Sequence, residues 1–499
     1  MCHLRQVNRS IANPVNQEQN MAFSNEIESF INDFVKDLSE NNVAIFAGAG
    51  MSAASGFVDW RELLREIASE LNLKIDRESD LIAVAQFSVN ESGNRTKINR
   101  KILEEFTEEA TTSENHKILA RLPITTYWTT NYDTLIEDVL TAANKRADVK
   151  HEWKQLANTK PRRDAVVYKM HGDVNHPADA IITKQQYQSY YKDNEAFITA
   201  LSGDLVSKTF LFIGFSFTDP NLEYVLGRLN VQFKEDGRQH YCFIKKPVEA
   251  DYKEKEDYEY ALVRQPLMIN DLKRYKIKAL VIDDYPVITE VLLEIERRYK
   301  KKTIFISGSA EEYGAWTRNE AQELIHKLSK AIVTANFRII NGFGWGIGSA
   351  VINGALEAIS ENPKRFSEDQ LVLRPFPQFG TGEQTLADLW TEYRHRMISL
   401  AGIAVFVFGN KLNENGDVID AGGVRSEFDI AIERGLVPIP IGVTGYETQK
   451  IYQDIAKNPK SFYGDNDWIF PKIQELAVDG ISPDDIVTKV VAILKKLQE

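Results

Sequence analysis

Asn131 and His171 carry side chains suited to chemistry on a sugar, and each follows a short apolar run. The amide of Asn131 has a donor and an acceptor, so it can hold a ribose or orient a water molecule. The imidazole of His171 can accept a proton near neutral pH. A lone Asn in such a place usually caps a helix, and a lone His is usually structural. Their interpretation as a catalytic pair therefore depends on their surroundings.

A glycine-rich turn precedes both residues and is typical of dinucleotide binding. It reads Gly48-Ala49-Gly50-Met-Ser52, where glycines let backbone N–H groups approach a phosphate at a helix start. Such a turn alone often serves only tight packing. Three further candidates also follow apolar runs: Asp133, Gly214 and Ser216. Because the carboxyl ends of parallel strands meet at one edge of a sheet, we expect these groups to line one crevice.

The elements that must position these side chains are short β-type runs alternating with amphipathic helices, a pattern that starts twice. The first set predicts six strands, at 43–47, 126–130, 165–168, 209–213, 241–244 and 278–282. The second set predicts five, at 303–306, 337–340, 371–373, 404–408 and 437–441. The segment from about 80 to 114 is expected to be helical. The sequence therefore predicts an α/β fold with two Rossmann-like parallel-sheet domains.

A charged stretch at 296–302 marks the junction between the two domains. We predict a flexible N-terminal extension over 1–24, a first domain over 25–285, a linker helix over 286–302 and a second domain over 303–499. Met21 is an alternative start.

Composition restricts the class of protein. The net charge of -12 opposes general nucleic-acid binding, which needs clustered cations. The only two cysteines, Cys2 and Cys242, cannot form a disulfide framework or a four-cysteine zinc site. We expect a reducing cytoplasm, no metal and no membrane span, because the chain has no long uncharged apolar run.

The second domain offers candidate groups for an anionic ligand. Gly308 and Ser309 follow its first strand, and a loop with glycines at alternate positions, including Gly344, follows the next. Later candidates are the charged or flexible residues Arg374, Lys411, Gly423 and Glu427. An arginine can grip a phosphate, a lysine adds a point charge, and a carboxylate accepts from ribose hydroxyls. Tight packing and ordinary surface ion pairs are the alternatives.

Four ordered motifs of the first domain resemble the sirtuin family: Gly48-Ala-Gly-Met-Ser52, Asp59-Trp-Arg61, Thr130-Asn131-Tyr-Asp133 and His171-Gly172. Thr130 replaces the family's Gln. The resemblance implies catalysis by Asn131 and His171. It also implies that NAD⁺ is a substrate bound by Gly48, Ala49, Gly50, Ser52, Asp59, Asp133, Gly214 and Ser216. The zinc-holding cysteine pairs of protein-deacylating sirtuins are absent, as in bacterial sirtuin-like defence effectors.

The second domain is similar to the SLOG group of Rossmann-like domains, through its early Gly-Ser, its glycine-rich loop and a later Gly-Gly…Glu. The order sirtuin-like then SLOG resembles the effectors of Thoeris antiphage systems. That resemblance implies NAD⁺ hydrolysis activated by a cyclic ADP-ribose isomer from a TIR-domain partner, and assembly into a tetramer or filament. It assigns the activator to Gly308, Ser309, Gly344, Arg374, Lys411, Gly423 and Glu427.

Three alternatives stay open at this point. An NAD⁺-dependent protein deacylase shares the first chemistry but needs a groove for an acyl-lysine peptide. A noncatalytic nucleotide-sensing assembly protein would use both domains only to bind. The second domain could also be an independent nucleoside-monophosphate hydrolase, although Glu427 has no clear second catalytic carboxylate.

Overall fold

A computed structural model describes residues 23–107, 110–217, 219–233, 236–380 and 385–498. The predicted N-terminal extension lies outside the described residues except for 23 and 24. The chain divides into two compact units, Phe23–Glu296 and a second unit that starts at Arg297. Within the described ranges, none of the helices combines the length and the apolar composition that crossing a bilayer requires.

The first unit is built on a seven-stranded sheet in which all pairings are parallel. The strands are β1 Val43–Ala47, β2 Thr126–Thr129, β3 Ala147–Lys150, β4 Ala165–Lys169, β5 Thr209–Ile213, β6 His240–Lys245 and β7 Ile277–Ile282. Their order across the sheet is β3-β4-β2-β1-β5-β6-β7. The chain thus leaves β1 toward β2 on one side and returns to β5 on the other. Open α/β sheets bind ligands at such a switch point, outside the carboxyl ends of the strands.

Thirteen helices among the described residues accompany this sheet. They are α1 Asn25–Ser39, α2 Ala49–Ala53, α3 Trp60–Leu63, α4 Arg65–Glu70, α5 Leu81–Ser92, α6 Thr96–Phe106, α7 Glu114–Arg121, α8 Leu135–Ala142, α9 Lys184–Asp193, α10 Glu195–Ser207, α11 Pro220–Phe233, α12 Lys255–Leu272 and α13 Pro286–Lys301. Strands β1 and β5 are buried along their whole length, as their continuous apolar sequences predict. Helices α5 and α6 confirm the predicted helical character of that segment.

The prediction of six strands in the first unit was wrong by one, because β3 was missed. Its sequence is Ala-Asp-Val-Lys, which alternates apolar and charged residues at the edge of the sheet. Asp148 and Lys150 are nevertheless buried, and their carboxylate Oδ1 and ammonium Nζ lie 2.8 Å apart. Because charged residues at alternate positions are typical of a solvated loop, the sequence did not indicate a strand here.

The second unit contains a five-stranded parallel sheet with the order β10-β9-β8-β11-β14. Its strands are β8 Thr303–Ser309, β9 Arg338–Asn341, β10 Leu371–Leu373, β11 Ile403–Phe408 and β14 Val437–Pro440. Between the last two lies an antiparallel hairpin that the sequence did not predict, β12 Asn410–Leu412 and β13 Val418–Asp420. The expected fold class, two parallel-sheet α/β domains, is confirmed.

The helices of the second unit are α14 Arg318–Thr334, α15 Gly348–Glu361, α16 Leu386–Ile398, α17 Gly422–Glu433, α18 Tyr446–Lys457, α19 Lys460–Tyr463, α20 Ile469–Gln474 and α21 Pro483–Lys496. The core is a single cluster of apolar side chains between helices and sheet. Helices α14 and α15 approach so closely that a Cβ on Gly354 would lie 2.1 Å from the carbonyl oxygen of His326.

Candidate functional site

The turn after β1 packs backbone to backbone against the turn after β5. Gly48 donates its N–H to the carbonyl of Ile213, and Gly50 donates to the carbonyl of Gly214, both at 2.9 Å. Gly214 has a φ of +65°, and a Cβ there would lie 2.2 Å from the backbone nitrogen of Met51. These glycines are therefore required by packing at the switch point.

Asn131, just beyond β2, is held by the same turn. Its Nδ2 donates to Ser52 Oγ at 2.8 Å and to the Gly48 carbonyl at 3.1 Å. Ser52 Oγ in turn donates to Asp133 Oδ2 at 2.7 Å. No described residue donates to the side-chain oxygen of Asn131, which is half-buried. The amide is thus fixed by its nitrogen, and its oxygen is the atom suited to accept from a sugar or water.

His171, just beyond β4, contacts the segment that follows β5. Its Nε2 lies 3.3 Å from Asp219 Oδ2 and 3.4 Å from Asn221 Nδ2, and Tyr187 OH lies 3.3 Å from its Nδ1. Since β2 and β1 lie between β4 and β5, this contact passes over the carboxyl ends of both central strands. The four strand ends that the sequence predicts to form a crevice are therefore drawn together.

The electrostatics around His171 favour a neutral imidazole. The ring is 1% exposed, and this burial lowers its pKa below 6.5, while attraction by the Asp219 carboxylate acts in the opposite direction. A protonated ring could donate from both nitrogens, to Asp219 and to Tyr187, whose OH also lies 3.4 Å from Asp219 Oδ2. The site can therefore accept a proton on His171 and stabilise the resulting charge.

The remaining predicted NAD⁺-binding residues differ in what they do. Asp59 is exposed and caps α3, where it accepts from the N–H of Glu62 at 2.9 Å. Arg61 donates to the carbonyls of Ile75 and Glu78, so its observed role is structural. Ala49 is the first residue of α2. Ser216 is exposed in the same segment as Asp219.

Sequence reasoning gave no role to several residues of this site. Asp219 and Asn221 lie in the same polar segment as Ser216, which the sequence places at the crevice, but neither was assigned a function. Tyr187 lies in α9, and nothing in the sequence connects that helix to His171. Lys169 ends a buried strand and was not considered, although a lysine is rarely buried without a partner.

In the second unit the glycine-rich loop after β9 packs against the end of β8. A Cβ on Gly344 would lie 2.0 Å from the carbonyl oxygen of Gly308, and one on Gly346 would lie 1.8 Å from that of Ala310. Ser309 Oγ donates to the carbonyl of Asn410 at 3.0 Å. Packing therefore accounts for these glycines, as it does for the turn after β1.

The charged centre of the second unit is Glu427 with Arg394, a residue that the sequence analysis did not single out. Ser307 Oγ donates to Glu427 Oε2 at 2.6 Å, and Arg394 Nε lies 3.5 Å from Glu427 Oε1. A Cβ on Gly423 would lie 3.0 Å from Arg394 Nη2, and the guanidinium lies 5.1 Å from the ring centroid of Phe376. Burial raises the pKa of Glu427, partly offset by Ser307 and Arg394.

The other two predicted cations of this unit lie at its surface. The side chain of Arg374 is exposed, although its N–H donates to the carbonyl of Asn341 at 3.0 Å. Lys411 is exposed in β12. Gly423 was expected in flexible backbone but lies in the first turn of α17. The structure therefore brings Gly423 and Glu427 together around Arg394 and leaves Arg374 and Lys411 as exposed neighbours of strand ends.

Two family models match parts of the chain. Residues 287–497 match the model of the Sir2- and TIR-associating SLOG family, and residues 125–263 match that of the SIR2-like domain.

Full-length relatives are also similar. The chain is 47% identical over 473 residues to NAD(+) hydrolase ThsA of Bacillus cereus (strain MSX-D12), with 94% of this chain and 98% of the relative covered. It is 46% identical to the protein of that name from Cytobacillus dafuensis, with 96% and 98% covered, and 44% identical to that from Acinetobacter baumannii (strain 532279), with 91% and 94% covered. With this identity over nearly the whole length, the chain belongs to the ThsA family of NAD⁺ hydrolases.

Proposed function

We propose that the chain hydrolyses NAD⁺ to nicotinamide and ADP-ribose at the carboxyl edge of the seven-stranded sheet. The observation that carries the proposal is the contact of His171 with Asp219 across the two central strands. It gathers a proton acceptor, the amide of Asn131 and the glycine-rich turn after β1 at one switch point. The names of the relatives support the same substrate.

The reaction breaks the bond between the nicotinamide nitrogen and C1′ of the ribose, and nicotinamide leaves with the bonding electron pair. The sugar then has oxocarbenium character. A water molecule adds to C1′, and its proton is taken up by His171 before release to solvent. The oxygen of Asn131 accepts from the water or from a ribose hydroxyl and so sets the direction of attack. Nicotinamide, ADP-ribose and one proton account for all atoms of NAD⁺ and water.

Substrate must rearrange the contacts around His171. Both ring nitrogens have protein groups within 3.4 Å, and the ring is 1% exposed. A general base needs hydrogen-bond reach to the proton that it abstracts, and such geometry often forms only with substrate bound. A water or hydroxyl therefore takes the place of one present partner at Nε2 or Nδ1.

Control by a nucleotide is the second part of the proposal. A cyclic ADP-ribose isomer made by a TIR-domain partner binds the second unit and activates NAD⁺ cleavage in the first. Arg394 is the residue that we propose for the phosphate, because a guanidinium can donate two hydrogen bonds to one and it lies beside Glu427, the predicted ribose acceptor. Gly423 leaves room beside the guanidinium. The proposed site also keeps the predicted residues Gly308, Ser309, Gly344, Arg374 and Lys411. Activation requires that the ligand bind the active arrangement more tightly than the inactive one.

The biological setting is proposed from the family resemblance. We expect NAD⁺ destruction in antiphage defence, in the cytoplasm, by a homo-oligomer of tetramer or filament form, with no cofactor, metal, membrane or nucleic acid required.

The test is incubation of the purified chain with NAD⁺, with and without cyclic ADP-ribose isomers, followed by chromatography of the products. We expect nicotinamide and ADP-ribose in equal amounts, a rate raised by one isomer, and no effect of a chelator. An acyl-lysine peptide added to the reaction should stay acylated. Deacylation of the peptide would favour the deacylase alternative, and unchanged NAD⁺ under every condition would favour the noncatalytic one.

A further inference from the structure

Lys169 is a fully buried ammonium group to which the proposed chemistry gives no role. It is the last residue of β4, and its side chain is 0% exposed. Burial alone lowers the pKa of Lys169, but attraction to Glu137 and Asp173 outweighs this effect and raises it, so the group is charged. An unpaired buried charge is very costly, so the Lys169 ammonium needs close hydrogen-bond and ion-pair partners.

Those partners come from two different segments. From the segment after β2, the carbonyls of Asp133 and Tyr132 accept from Lys169 Nζ at 2.6 and 3.1 Å, and Glu137 Oε1 lies at 3.1 Å. From the segment after β4, Asp173 Oδ2 accepts at 2.5 Å. Asp173 is itself fixed, because its Oδ1 accepts from the N–H and Nδ2 of Asn175, both at 2.8 Å.

The two segments are the ones that carry the proposed catalytic pair. Asn131 immediately precedes Tyr132, and His171 lies between Lys169 and Asp173 in the chain. Two backbone bonds also link them, from the N–H of Val174 to the carbonyl of Tyr132 and from the N–H of Met170 to the carbonyl of Thr129, both at 2.9 Å. We propose that Lys169 is a positioning residue for NAD⁺ cleavage, because its ammonium holds the Asn131 segment and the His171 segment at a fixed separation.

This inference rests on the proposed function. Its consequence is a specific pattern of kinetic defects. Without the ammonium, the Asn131 and His171 segments keep only their backbone bonds to each other, so their separation can change, whereas the turn after β1 is held by its own bonds to the β5 turn. The kcat should therefore fall more than KM rises. A misplacement of about 1 Å in such a site can cost about 10²-fold in rate.

The chain supplies a matched control in the adjacent strand. Lys150 of β3 is also buried, pairs with Asp148 at 2.8 Å and donates to the carbonyl of Asn158. It lies directly beside Tyr168 in the parallel register. None of these contacts involves the segment of Asn131 or that of His171. Lys150→Met and Lys169→Met therefore remove the same chemical group from neighbouring strands, and only one removes a link between the catalytic segments.

The experiment compares both variants with the parent full-length chain in three measurements: thermal unfolding, NAD⁺ cleavage kinetics well below the unfolding temperature, and amide hydrogen exchange over 129–135 and 170–176. We expect both variants to lower the Tm. Lys169→Met should also lower kcat by about 10²-fold and speed exchange in both segments. Lys150→Met should do neither. Equal kcat and equal exchange in the two folded variants would overturn the proposal.

If Lys169→Met does not fold, the milder pair Asp173→Asn and Asp148→Asn decides the question in the same measurements. Asp173→Asn should lower kcat and loosen both segments, and Asp148→Asn should leave both unchanged. Indistinguishable behaviour of these two would overturn the positioning role. Failure of the parent chain to cleave NAD⁺ under any condition would instead contradict the proposed function, and the exchange comparison would still decide whether Lys169 joins the segments.

Discussion

The two units share the same packing of glycine-rich turns and differ in the polar side chains beside those turns. In both, a turn at the end of the first strand packs against a second glycine turn: Gly48 against Gly214 in the first unit, and Gly308 against Gly344 in the second. In both, the site lies beyond the carboxyl ends of a parallel sheet. Glycine-rich turns therefore mark the place proposed for each nucleotide site, but they do not distinguish catalysis from binding.

The difference lies in the titratable groups. The first unit places a neutral imidazole beside a carboxylate and an oriented amide, which is a set able to move a proton. The second places a guanidinium beside a buried carboxyl with a raised pKa, a set able to hold a phosphate and a sugar. Catalysis needs groups that can move a proton, as in the first unit, whereas ligand recognition needs only groups that bind, as in the second.

The largest expected effect is the loss of the imidazole. His171→Ala should lower kcat by a factor of about 10² to 10⁴, because the proposed proton acceptor is removed. The measurement is NAD⁺ cleavage at saturating substrate, with ligand binding to the second unit followed by calorimetry. His116→Ala is the control, since that ring is also buried but lies in α7, ahead of the amino end of β2. Normal NAD⁺ cleavage by a folded His171→Ala variant would contradict the assignment of catalysis to the first unit.

A matched pair of glycine substitutions separates the two sites. Gly214→Ala and Gly344→Ala each place a methyl group within 2.2 Å of a backbone atom, and such overpacking typically costs about 1 to 3 kcal/mol. The first should impair basal cleavage, and the second should impair only the response to the nucleotide. Gly227→Ala, where a Cβ meets nothing within 4 Å, is the control for both. Loss of basal cleavage in Gly344→Ala but not in Gly214→Ala would reverse the assignment.

The pH dependence of cleavage sharpens the account of the first site. His171 must be neutral to accept a proton, so the rate should fall as the pH decreases through its pKa, which burial lowers below 6.5. Asp219→Asn removes the attraction that raises this pKa, and the acid limb should then move to lower pH. Rate profiles of kcat for both chains test the shift. A limb that moves to higher pH, or does not move, would show that Asp219 does not act on the ring.

The smallest effect concerns the stability of the second site. Burial raises the pKa of Glu427 above 4.5 in the folded chain, so the folded state binds this proton more tightly than the unfolded state. The associated stability is fully present below pH 4.5 and is lost as pH rises through the folded pKa. Glu427→Gln copies the protonated form, so it should stabilise the chain at pH 7 and have less effect near pH 4.5. Thermal unfolding of the variant and the parent at both pH values measures this difference in stability. A variant that is less stable than the parent only at pH 7 would contradict the prediction.

The fold was largely predictable because its central strands are continuous apolar runs between helical periods. The exceptions have physical causes. Strand β3 contains a buried ion pair, and the strands β12 and β13 are mostly exposed or half-buried, so they are not continuous apolar runs.

The candidate site was predictable only where its groups directly follow strands. Asn131 and His171 met this condition, and their proposed roles stay predictions. Tyr187, Arg394 and Lys169 could not be found in this way. Tyr187 and Arg394 reach their sites from helices, and the partners of Lys169 become neighbours only when β2 and β4 pair. For these three residues, the sequence contains no local pattern that indicates the tertiary contact.

The most direct test of a catalytic first unit controlled by a sensing second unit is the NAD⁺ cleavage rate over a titration of cyclic ADP-ribose isomers. It should be measured for the parent chain and for Arg394→Ala, with Arg396→Ala, an exposed arginine of the same helix, as control. We predict a saturable rise for the parent and the control, and a midpoint at least about tenfold higher for Arg394→Ala, as expected for loss of a charge-assisted phosphate contact. A parent rate that no isomer changes, or an Arg394→Ala response equal to that of the parent, would contradict the account.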